Sequence, residues 1–182
     1  MATRHLGLLA VVLALATMST VAGCGGDKEN ASEQWAGDVC SQLSTWVTSV
    51  QDAVSSLTAN PLSLDKAAVQ AATKDVKAAT DELVNGLADL GPPQTDSGEQ
   101  AKSELDDLGS QLQQQVGQVE QEAKAGSLSL VTVTSALATA SSAVRSTYDS
   151  LQSLDTGGEL RDGFENAGSC DSFRQQVDTI GD

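Results

Sequence analysis

The stretch AGDVCSQLSTWVTSVQDAVSSL, residues 36–57, decides the fold. Apolar residues recur along it at Ala36, Val39, Leu43, Trp46, Val50, Ala53 and Leu57, alternating steps of three and four. That spacing places one narrow apolar seam along an α-helix. Polar residues, mostly Ser, Thr, Gln and Asp, occupy the remaining faces, and Asn60-Pro61 closes the segment.

The same seam recurs three times. Val69, Ala72, Val76, Ala79, Leu83, Gly86 or Leu87, and Leu90 form a second series, stopped by Gly91-Pro92-Pro93. Ala101, Leu105, Leu108, Leu112, Val116, Val119 and Ala123 form a third, which closes at Gly126. A fourth runs Leu130, Val133, Leu137, Ala140, Val144, Tyr148 and Leu151 before Gly157-Gly158. All three prolines fall between these segments. Antiparallel helices bury such seams against one another. The pattern predicts an all-α fold, an antiparallel up-down-up-down four-helix bundle over residues 32–174, with 175–182 as a flexible tail. The fourth segment is rich in β-branched residues and serine, which favour helix only weakly. A flatter helical hairpin or a partly disordered chain is the competing arrangement.

Upstream of the bundle, Met1-Ala2-Thr3-Arg4-His5 precedes an uncharged apolar run from Leu6 to Ala16, and small residues lead to Gly23/Cys24. This is the layout of a secretory signal peptide, and the run is shorter than the roughly 20 apolar residues a membrane span needs. Val21-Ala22-Gly23-Cys24 resembles the lipobox of bacterial lipoproteins. The resemblance covers residues 1–24. It implies that 1–23 is removed, that Cys24 carries acyl chains, and that the protein is held at the extracytoplasmic face of the cell membrane. Two or more chains anchor stably, whereas one does so marginally. The following residues to Ala31 read as a flexible tether. More diffusely, the remainder is similar to small helical lipoproteins of high-GC Gram-positive bacteria, a resemblance that implies no activity.

Removing the signal segment changes the chemistry available. It takes away His5, the sole histidine, so Ser-His-Asp and Cys-His catalysis are excluded, as are His-ligated metal sites. It also takes away Arg4, leaving nine basic residues against 25 acidic ones, a net charge of −16. Such acidity argues against nucleic acid and against docking on anionic headgroups. Asp155, Glu159 and Asp162 surround Gly157-Gly158, but their spacing does not match an EF-hand loop. No catalytic residues, metal site or cofactor is expected, and the chain reads as a non-enzymatic protein.

Two cysteines remain, Cys40 and Cys170. An even pair in an exported chain favours a disulfide over two free thiols. In an up-down-up-down bundle, the start of the first helix and the end of the fourth share a pole, so the two cysteines meet there. Trp35 and Trp46 flank one, Phe164 and Phe173 the other, which suggests an aromatic cap, with a ligand pocket as the alternative.

At the opposite pole, the second and fourth segments both begin with Leu-Ser-Leu. Ser63 and Ser129 suit N-caps, with Leu62 and Leu128 stapling onto Ala67 and Val133. The functional alternative is an apolar tip of Leu62, Leu64, Leu128 and Leu130 that meets an envelope protein partner. Two readings of function follow. The first is a partner-binding lipoprotein of the cell envelope. The second is a binding protein for a small apolar or lipidic ligand, with room between the helices near Gly86, Gly109 and Gly117.

Overall fold

A computed structural model describes residues 27–58, 66–154 and 157–180. The fold is all-α, with no strand among the described residues. Six helices follow in order: α1 Asp27–Thr58, α2 Lys66–Asp89, α3 Gly98–Ala125, α4 Leu130–Ser153, α5 Glu159–Asn166 and α6 Gly168–Ile180. The expected signal segment and the lipobox-like motif, including Cys24, lie outside the described residues, as do Leu62, Ser63 and Leu64. No described helix is long and apolar enough to cross a membrane.

α1 is the central element. At 32 residues it is about 48 Å long, and all seven seam positions from Ala36 to Leu57 are buried. α2 packs between α1 and α3, and α3 packs on α4. α1 and α2 run in opposite directions. The Trp35 indole Nε1 donates to the Gly91 carbonyl at 3.0 Å, and further along Trp46 Nε1 donates to Thr80 Oγ1 at 3.0 Å.

The connections explain the helix ends. Gly91 takes φ +64° and Gly126 φ +74°, a left-handed conformation that disfavours side chains. At the end of α3, the Gly126 N–H reaches the Ala123 carbonyl and the Ser127 N–H the Glu122 carbonyl, a Schellman closure. Ser129 caps α4, its hydroxyl accepting from the Thr132 N–H at 3.1 Å.

The sequence pattern misses α5 and α6, which follow the left-handed Gly158. Both pack on α1 and touch α4. Two boundaries therefore shift. α1 begins at Asp27, so helix covers part of the stretch expected as tether (24–31), and α6 runs to Ile180 through the stretch expected as tail (175–182). The cause is packing. Ser32 is buried against α5, where a Cβ on Gly163 would fall 2.8 Å from the Ser32 backbone, and Val177 is buried in the core.

The disulfide joins Cys40 of α1 to Cys170 of α6, with 5.0 Å between their Cα atoms, and both residues are fully buried. It closes a loop of 130 residues.

Candidate functional site

The two ends of the molecule are filled differently. Around the disulfide the side chains are large. Trp35 meets Phe164 edge-on at 6.0 Å, and Tyr148 meets Phe164 at 5.3 Å and Phe173 at 5.2 Å. Three of the four expected cap aromatics therefore come together, joined by Tyr148 from α4. Trp46 does not join them. It lies eleven residues beyond Trp35 on the same helix, about 16 Å along the axis. The cap's polar edge is the Tyr148 hydroxyl, which accepts from Arg174 at 3.1 Å. Burial pushes the Tyr148 phenol up, and Arg174 partly offsets the shift.

Towards the other end, the facing side chains shrink. α1 contributes Val50, Ala53, Val54 and Leu57, α2 Ala72 and Val76, α3 Leu112, Val116 and Val119, and α4 Val133, Ala136, Leu137 and Ala140. α5 and α6 contribute nothing to this wall. Between these residues lies an apolar cavity, partly open to the surface, with about 60 Å³ accessible to the centres of water-sized molecules. A water needs about 10–15 Å³ on this measure, so the cavity takes about four to six groups of that size. Close-packed interiors leave few such voids.

Among the described residues, three polar side chains border the cavity, and two are satisfied. The Thr73 hydroxyl turns back to donate to the Val69 carbonyl at 2.9 Å. Trp46 donates to Thr80, whose own hydroxyl donates to the Val76 carbonyl at 2.9 Å. The third is Gln115, on α3. Its side-chain oxygen Oε1 is buried and has no hydrogen-bond partner among the described residues. Buried acceptors are paired in the great majority of cases, and this is the one unpaired such atom that lines the cavity among the described residues.

On the outer surface of the α2–α3 seam, charges pair along each helix. Its hydrogen bond to Asp81 holds Lys77 above the usual lysine range, and the Lys124 hydrogen bond holds Glu120 below the usual carboxylate range. These exposed pairs are i,i+4 contacts and contribute little to stability.

The expected ligand room lies elsewhere than two of the glycines. A Cβ on Gly86 would fall 2.6 Å from the Gln42 amide, and one on Gly109 3.2 Å from Val84, so both places are filled. Gly117 has open space beside it. Of the expected tip, Leu128 is half-buried, while Leu62, Leu64 and the Leu130 side chain lie outside the description. Sequence reasoning missed Gln115; its signal is a glutamine one step from the Leu112–Val116 seam. No family model, curated protein or solved structure matches this chain.

Proposed function

We propose that the mature chain is a non-enzymatic lipoprotein, anchored through Cys24 at the extracytoplasmic face, that holds a small apolar or lipidic ligand between its long helices. We read α1–α4 as an up-down-up-down four-helix frame, with α5 and α6 wedged between α1 and α4 at the disulfide end. The wedge fills that end and leaves the opposite one under-filled. One observation carries the reading: an apolar cavity bordered by the unpartnered Gln115 oxygen.

Native mass spectrometry of the full protein, extracted from its own cells in mild detergent, tests it. Wild type is expected to carry a ligand mass that Ala140→Leu, which fills the cavity, lacks. A clean unliganded mass for wild type would sink the reading.

Partner binding at the Leu-Ser-Leu turns is a second reading. Val131, the first residue after Leu130 at the α4 entrance, is 76% exposed, and it would extend an apolar tip formed with the neighbouring Leu-Ser-Leu residues into a contiguous patch. Cross-linking on intact cells would compare wild type with the Leu62→Asp/Leu128→Asp variant. Unchanged cross-link patterns would eliminate the tip.

A further inference from the structure

The cavity has a neighbour on the outer surface. A groove between α3 and α4 is lined by Gln118, Glu122, Thr132, Ser135 and Thr139, with Val131 at its edge. Three residues, Gln115, Val119 and Ala136, line both the groove and the cavity. The groove and the cavity therefore adjoin along these three residues, and one of them is an alanine.

We infer that the ligand is a single-chain amphiphile with an uncharged, hydroxyl- or amide-bearing head, its chain end in the cavity and its head in the α3–α4 groove beside Gln115. The inference rests on the cavity-binding reading and adds the chemical class and the route. The chain follows from the cavity, which is apolar and takes about four to six water-sized groups. The donor follows from Gln115 Oε1, which is buried at the junction and lacks a partner. A hydroxyl or amide N–H of the head close to its junction with the chain would satisfy it; an ionised sulfate or carboxylate has no proton to give.

The head's neutrality follows from the groove. No lysine or arginine lines it among the described residues, and Glu122 stands in its wall. An anionic head would meet like charge there, in a mature chain of net charge −16. An ammonium head would find Glu122, but would lose hydration against the apolar mouth, a cost that one half-exposed carboxylate repays poorly. The Gln118 amide and the Ser135 hydroxyl can donate and accept, and the Thr139 hydroxyl, which donates to the Ser135 carbonyl, can still accept, which matches a head that both donates and accepts.

Calorimetric titration of the full chain carrying Cys24→Ser, so that no acyl chain competes, tests the inference. The probes are n-alkyl glucosides, n-alkyl sulfates and n-alkylammonium salts with four, six and eight carbons, each below its micelle concentration. Glucoside affinity should rise about fourfold per methylene while the cavity fills, then flatten. Sulfates and ammonium salts of equal length should bind at least tenfold more weakly. Gln115→Leu should weaken the glucosides about tenfold and leave the chain-length slope unchanged; Gln115→Met serves if the leucine variant folds poorly. Sulfates or ammonium salts binding as tightly as glucosides, with the slope retained, would overturn the head assignment alone. A slope absent from every series, with Ala140→Leu changing nothing, would overturn the cavity reading as well.

Discussion

Filling the cavity with protein is the sharpest test of its existence. Ala140 on α4 is buried and lines it. Ala140→Leu adds three carbons, fewer than the four to six groups the space takes by the water-sized measure. At about 0.8 kcal/mol per buried carbon, the transfer gain is about 2.4 kcal/mol. Fixing the new rotamer costs about 0.5–1 kcal/mol, leaving a net gain of about 1.5 kcal/mol. For a domain of this size, 1 kcal/mol moves the melting temperature by about 2–4 °C, so a rise of about 3–6 °C is expected. The assay is thermal and urea unfolding by circular dichroism on delipidated protein, with the urea slope checked for constancy. In a site already close-packed, the same substitution would cost about 1–3 kcal/mol. A fall in stability would therefore refute the void and everything built on it.

Three further outcomes are expected. Replacing Cys40 and Cys170 together by alanine should lower unfolding free energy by about 5 kcal/mol, the chain-entropy figure for a loop of this length; a urea-melt loss under 1 kcal/mol would contradict it. Gly163→Ala should destabilise by about 1–3 kcal/mol, because its Cβ would press on the Ser32 backbone. Gly117→Ala, with nothing within 4 Å of the new Cβ, should instead stabilise by about 0.5–1 kcal/mol, and matching signs would disprove the contrast. Tyr148 is held above its ordinary pKa of 10 by burial, so the unfolded chain loses this proton first. Its contribution is intact below pH 10 and is lost as pH rises through the raised value. Tyr148→Phe should flatten the decline in urea midpoint above pH 10, and an unchanged decline would assign it to other groups.

Much of the helical layout is legible in the sequence. The seam from Ala36 to Leu57 predicts burial at seven positions, and all seven are buried. Gly91, Gly126 and Ser129 mark helix ends by local chemistry, and the structure uses each accordingly. The two short helices are harder to read. α5 has eight residues, too few for a periodic signal, and carries Gly163 in its interior, where glycine costs about 1 kcal/mol against alanine. Its two apolar anchors, Leu160 and Phe164, are four apart and become a helix face only because α1 lies beside them. The aromatic cap shows a related limit. Trp46 is near Cys40 in sequence, but helical rise carries it away from Trp35 and up to Thr80. The cavity is hardest of all, because it depends on how far apart four backbones are held while their facing side chains shrink.

The disulfide also determines how the molecule would carry a mechanical load. A pull applied between the first turns of α1 and the end of α6 passes from Cys40 directly to Cys170. Everything between those residues hangs on a closed covalent loop and feels little of the tension. The sixteen described residues that line the cavity, from Trp46 to Ala140, lie inside that loop. A tug between the two chain ends would therefore strain the α1–α6 clasp, while the space between the helices kept its shape.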